Sequence, residues 1–279
     1  MGIEQFKKSI KPHAAVAFHE GIPPECHGVI DEIMPQFYRL AFTHESQYKT
    51  INELMDIIIT PWIRIFMSGT ANSRTRVLIV VGDKSKRVPK YKAPTQEKRS
   101  ERFFTPANGA NNTPYPAGAI LQGDGIFNPD THKVEMLDVT RLMHTRGALR
   151  SDLMEKTFER TVERFREEIS DDHVVFWDTT DRKPVRCLCN GEVFDVPQFN
   201  NQIGEGEQCA VWWYFVYTRE FPRDNVLVRT RDTDILALFA IFLLDHNIRP
   251  KSLFHTHLQG EYIDVGEFIQ SISYQFIID

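Results

Sequence analysis

Toward its C-terminal end the chain reads NVLVRTRDTDILALFAIFLLDHN, residues 225–247. A β-branched run ends in Arg229-Thr230-Arg231, two aspartates follow two residues apart, Asp232 and Asp234, and a strongly apolar stretch begins. An acid at the start of a helix has an ordinary explanation, because it caps free N–H groups or faces the positive end of the helix dipole. The placement recurs, however. Asp31 follows the apolar run CHGVI, Asp83 follows RVLIVV by one glycine, and IGEGEQCAVWW sets Glu205 and Glu207 at the start of another helix. Capping explains each acid separately, but not the choice of acids over Ser, Thr or Asn each time. If the strands are parallel neighbours, these six carboxylates converge at one end of a sheet and repel one another unless cations intervene. Oxygen ligands suit Mg²⁺ or Mn²⁺ rather than zinc. Two such ions about 4 Å apart are the usual apparatus for hydrolysing phosphodiesters.

An anionic substrate also needs cations beside the acids. The segment KSKRVPKYKAPTQEKRSER, directly after Asp83, carries five lysines and three arginines against two glutamates. A charge run is most often a solvated face, but beside an acidic cluster it reads as phosphate contact. Lys84, Lys86, Arg87, Lys90 and Lys98 are therefore candidate nucleic-acid contacts. The chain of 279 residues has a net charge of −5, so any nucleic-acid binding rests on a local patch of this kind. A second metal set, Cys187-x-Cys189 with His255-x-His257, lacks the Cys-x-x-Cys spacing usual for zinc and is the weaker candidate. The four cysteines are irregularly spaced, which points to a reducing, intracellular compartment. MGIEQFKKSIK has no apolar leader region, and the longest apolar run, residues 235–244, is too short to span a membrane.

The elements that must position these acids follow from periodicity. GVIDEI (28–33) predicts a buried strand running into a helix, and residues 51–69 predict an apolar helix kinked or divided at Pro61. RVLIVV (76–81), VVFW (174–177) and VLVRT (226–230) predict strands buried on both faces. A charged helix is expected from about Pro94 to Phe104, then a Pro/Asn/Gly-rich loop over 105–119. SDLMEKTFERTVERFREEIS predicts a long helix with Ser151 as its N-cap, and RCLCNGEVFDV a hairpin turning at Asn190-Gly191. A helix from about Glu205 to Thr218, an apolar helix from Asp232, a strand near SLFHTH and a helix at DVGEFIQSISYQ complete the chain. Alternating strands and helices predict an α/β fold with a mostly parallel central sheet covered on both faces, and sites outside the carboxyl ends of the strands.

In this order the motifs resemble the flap endonucleases and XPG-like 5′-nucleases of the PIN-like superfamily. The start MGI matches that family's opening, with Gly2 near the substrate. VIDEIMPQFYRLAF is similar to its first strand and helix, and VVGDKSKRVPKYKAPTQEKRSER to its second motif. GEGEQCA is similar to its glutamate pair and RDTDILAL to its aspartate pair. The likeness covers roughly residues 1–104 and 173–247. It implies a PIN/5′-nuclease-like sheet and two Mg²⁺ or Mn²⁺ ions shared among Asp31, Asp83, Glu205, Glu207, Asp232 and Asp234. It also implies Lys92 and Arg99 as the catalytic basic pair that steers the scissile phosphate, and DNA with a 5′ flap or single-stranded end as partner. The family's seventh acid is matched by Asp279, with Asp264 as the alternative, for which capping of the last helix is the preferred account. The segment after Asp83 is about two residues longer than the family's before the basic pair. Residues 105–150 form a long insertion after the second strand, unlike the family's basic helical arch. A single nuclease-like domain over 1–279 is expected, without the duplex-gripping helix–two-turn–helix. The short spacings are similar to those of divergent members from large DNA viruses, implying work in replication, repair or recombination at the nucleus or a viral replication site. Two other readings are a nuclease-derived module that only binds or builds, and a PIN-type ribonuclease.

Overall fold

The computed structural model describes residues 12, 14–21, 25–43, 48, 50–67, 75–84, 98, 101, 103–104, 113–145, 148–169, 173–230, 234–245, 253–256 and 261–278. Aliphatic runs form its central strands: β2 (Gly28–Glu32), β3 (Val77–Val81), β7 (Val174–Asp178), β10 (Val226–Arg229) and β11 (Leu253–Thr256). β2 and β3 are buried at every position; β3 is accordingly aliphatic throughout, without alternation, whereas β2 runs from Gly28-Val29-Ile30 into the buried acids Asp31 and Glu32. With β1 (Phe18–Glu20), β12 (Glu261–Asp264), β8 (Arg186–Cys189) and β9 (Glu192–Asp195) they make one nine-stranded sheet, ordered β1-β12-β11-β10-β2-β3-β7-β8-β9.

The sheet is mixed rather than mostly parallel. The four pairings from β11 to β7 are parallel, and the pairings on both margins are antiparallel. The margins arise differently: β1 pairs with β12 from the far end of the chain, while β9 follows β8 by a two-residue turn. β8 and β9 turn at Asn190 and Gly191, both at positive φ (51° and 72°), as the expected two-residue hairpin requires. In chain order the parallel strands lie third, second, first, fourth, fifth across the sheet. The order reverses between β2 and β10, the switch point where doubly wound sheets open a crevice at their carboxyl ends.

Alternation divides the strand residues between two cores. Val29, Leu78, Val80, Val175, Trp177 and Leu227 face a core built with α1 (Ile33–Thr43), α2 (Ile51–Met67), α3 (Val139–His144) and α4 (Ala148–Glu168). Ile30, Ile79, Val81, Val226 and Val228 face the other, built with α5 (Gly206–Glu220), α6 (Asp234–Asp245) and α7 (Val265–Ile278). Buried side chains such as Trp62, Trp213 and Phe239 each contribute roughly 1.5–3 kcal/mol or more by removal from water. α5 sits especially close to the sheet. The Tyr217 ring lies where a Cβ on Gly28 would stand, 2.7 Å from its Cζ, so this strand begins with glycine.

Several sequence expectations are corrected. α2 is one helix from Ile51 to Met67 with Pro61 inside it, so it is not divided there. α4 begins at Ala148, so Ser151 is a buried interior residue and not the N-cap. Residues 113–145 contain a three-stranded antiparallel meander, β4 (Ile120–Gln122), β5 (Gly125–Asn128) and β6 (Lys133–Met136), within an insertion expected to begin as a long loop. Ile126 anchors the meander in the first core, and the Arg141 guanidinium lies 3.8 Å from the centroid of the buried Tyr115 ring. Among the described residues no helix is long and apolar enough to cross a membrane.

Candidate metal centre

Two parallel strands end beside the point where α5 begins. β2 ends in Glu32, β3 is followed by Gly82 and Asp83, and α5 carries Glu207 in its first turn. Glu32, Asp83 and Glu207 each bring a carboxylate oxygen to within 4.8 Å of the other two. Glu32 is buried and its carboxylate accepts a hydrogen bond from the Thr230 hydroxyl at the end of β10. Asp83 Oδ1 accepts the Gly206 N–H at 3.0 Å. That amide is one of the four at a helix start with no intrahelical acceptor, so the bond ties the acid to the positive end of the dipole. A Cβ on Gly206 would lie 2.8 Å from Glu32 Oε1, so the glycine admits the Glu32 carboxylate against the helix start.

The acid from β2 is Glu32, and not Asp31 as the sequence reading expects. Successive strand residues point to opposite faces. Glu32 shares its face with Ile30 and α5, whereas Asp31 shares the opposite face with Val29. There Asp31 is fully buried. Its Oδ2 accepts the Trp62 indole N–H at 2.6 Å and pairs with Arg229 at 3.2 Å, and Gln36 donates to Oδ1 at 3.4 Å. Asp31 is a satisfied structural anion on the far side of the sheet from the triad.

Glu205 occupies the N-cap position of α5 but makes no side-chain cap, and its own residue is 4 % exposed. It adjoins the cluster without belonging to the Glu32–Asp83–Glu207 group. Asp234 opens α6 and is exposed. Asp232, the catalytic candidates Lys92 and Arg99, the contact candidates Gly2, Lys86, Arg87 and Lys90, and the possible seventh acid Asp279 lie outside the described residues. Lys98 is exposed. Asp264 caps the last helix, accepting the Glu267 N–H at 3.0 Å, as preferred.

Lys84 is the second correction. It is 2 % exposed, and its Nζ pairs with Asp178 Oδ1 at 2.6 Å and donates to Asn201 Oδ1 at 2.9 Å, so it offers no contact to a nucleic acid. Asp178, at the end of β7, collects further donors on Oδ2: Asn201 Nδ2 at 2.8 Å, Cys209 Sγ at 3.0 Å and Trp213 Nε1 at 3.0 Å. Burial, with the Asp178 charge beside it, pushes the Cys209 thiol well above its ordinary value, which keeps it a protonated donor. The zinc alternative fails on topology. Cys187 on β8 and His255 on β11 are separated by four strands, about 24 Å at some 4.8 Å per pairing.

Two signals for the missed residues were in the sequence. Asp178 obeys the same rule that selects Asp83, an acid ending an apolar strand, and Glu32 directly follows Asp31. Which of two adjacent acids faces the site depends on which face α5 covers, and no strand reveals that by itself. No protein-family model matches the chain, and no curated protein matches it.

Proposed function

We propose that the protein is a divalent-metal-dependent phosphodiesterase of the 5′-nuclease kind, with a PIN-like arrangement of its parallel strands, acting on DNA. The observation that carries this reading is the convergence of Glu32, Asp83 and Glu207 at the carboxyl ends of β2 and β3, next to the switch point of the sheet. Three carboxylates this close suit a hard cation such as Mg²⁺ or Mn²⁺, whose oxygen ligands they supply. Glu32, Asp83 and Glu207 would hold the ion, and Asp232 and Asp234 are the candidates for a second. When bound, such ions activate water and stabilise charge on a phosphoryl group. The chain's part is to fix the acids: Thr230 orients Glu32, and the Gly206 amide orients Asp83. Lys92 and Arg99 are proposed to steer the scissile phosphate, where charge grows in the transition state.

A second reading, a nuclease-derived module that binds without cutting, is favoured by one observation. The bond to Trp62 and the pair with Arg229 withdraw Asp31, the aspartate that the family resemblance implies as a metal ligand, and a glutamate, Glu32, stands in the cluster instead. One experiment separates the two. Mn²⁺ is titrated into the protein while thermal stability is followed, and Mg²⁺-dependent cleavage of a labelled 5′-flap duplex is compared with single-stranded DNA and RNA. Binding with cleavage supports the nuclease, binding without cleavage the module, and absence of binding removes the metal reading.

A further inference from the structure

We propose that the buried Lys84–Asp178 pair is a positioning device that presets Asp83 against the N-terminus of α5; for its bearing on the metal, this rests on the reading of Glu32, Asp83 and Glu207 as a cation site. An ion pair with both side chains 3 % exposed or less is a costly element. Removing such charges from water commonly offsets what their attraction gains, so stability alone is a poor reason for its presence. Its connections suggest another. Asp178 binds the segment after β3 through Lys84, the loop before α5 through Asn201, and α5 itself through Cys209 and Trp213, four residues apart on one helical face. Asn201 Oδ1 in turn accepts from Lys84 Nζ and from the Ile203 N–H, and the Lys84 N–H donates to Gly204 O at 2.8 Å.

Asp83 stands directly before Lys84, and the residue whose amide it accepts, Gly206, stands two after Gly204. The segment ending β3 and the segment opening α5 are thus joined on both sides of the Asp83–Gly206 hydrogen bond. Carboxylates gathered within 4.8 Å repel one another, so without this clamp Asp83 would swing away when no cation is present. Lys84 and Asp178 touch no proposed ligand group of the site. They act through Asp83 and are positioning residues, comparable in effect to the outer groups that orient metal ligands.

The test uses the full chain with Lys84→Met and Asp178→Asn combined, which removes both charges together and leaves no unpaired buried ion. Three quantities are measured: melting temperature, hydrogen exchange of individual amides in metal-free protein, and Mn²⁺ affinity. The expected result is exchange at the Gly206 amide at least about tenfold faster, with the Val80 and Val228 amides unchanged, and Mn²⁺ affinity lower by about 10- to 100-fold. A merely structural pair would shift all three amides together. Unchanged exchange at Gly206, or a uniform loss of protection, overturns the proposal. If the unsubstituted protein binds no Mn²⁺, the cation reading falls and the Gly206 amide alone decides the clamp. Asn201→Ala keeps the charges paired while removing one strut. It is expected to shift the Gly206 amide in the same direction by a smaller factor, and decides the matter if the double variant does not fold.

Discussion

The adjacent acids Asp31 and Glu32 make opposite predictions. Asp31→Asn weakens a fully buried anion that serves Trp62, Gln36 and Arg229. Breaking one side of a buried ion pair typically costs about 3–5 kcal/mol. Arg229 is 23 % exposed and recovers part of its hydration, and the amide oxygen retains a weaker bond to Trp62, so the expected loss falls to about 2–3 kcal/mol. For a chain of this size that is a fall in melting temperature of roughly 5 °C. Mn²⁺ affinity should stay within about twofold, because Asp31 lies on the opposite face of β2. Glu32→Gln does the reverse. It relieves repulsion among three carboxylates, so stability is unchanged or slightly raised, while Mn²⁺ affinity drops by a factor of ten or more. Urea denaturation and Mn²⁺ titration on both variants give the four numbers. A stable Asp31→Asn protein that has lost Mn²⁺, beside a Glu32→Gln protein that keeps it, would refute the assignment of faces and restore Asp31 to the site.

Gly206→Ala puts a methyl 2.8 Å from Glu32 Oε1. The carboxylate is the end of a movable side chain, so it is displaced, and Mn²⁺ affinity should fall severalfold with little change in melting temperature. Gly28→Ala meets the Tyr217 ring at 2.7 Å on a packed helix–sheet contact; equilibrium unfolding should show a loss of about 1–3 kcal/mol from overpacking. Burial pushes the Asp56 carboxyl up, but the Arg160 and Arg164 guanidiniums outweigh it and hold it below the usual carboxylate range. Because its folded value is lowered, its contribution is complete above its unfolded value and is lost as pH falls through the folded one. Asp56→Asn should therefore cost about 1 kcal/mol in urea at neutral pH, the pair being partly solvated, with the gap closing below about pH 4.

The parallel core was legible in the sequence because its strands are buried on both faces and so cannot alternate, as RVLIVV and NVLV show. The meeting of Asp83 and Glu207 was legible for the same reason, since a sheet with buried faces leaves only its ends for polar chemistry. The parity of Asp31 and Glu32 was not. A period of two assigns neighbours to opposite faces but does not label the faces, and the label comes from α5, far along the chain. The fate of Lys84 was hidden in the same way. Among eight basic residues between 84 and 102 nothing local marks Lys84 as turning inward, because its partner Asp178 belongs to another strand. The meander escaped because its strands are three or four residues long, although Gly123-Asp124 between β4 and β5 is a recognisable two-residue hairpin loop.

The insertion of β10 beside β2 bears on how the chain is made. The Thr230 hydroxyl reaches Glu32 across 198 residues of sequence. While a ribosome delivers the chain from its N-terminus, β2 and β3 can pair early, but the other edge of β2 stays open until β10 emerges. An apolar strand with one unsatisfied edge is a template for wrong partners, including other nascent copies. The interval is long because contacts so remote in sequence form slowly. Speed of translation between α1 and β10, and protection of that edge by a chaperone, should therefore govern the yield of native protein more than the stability of the finished sheet.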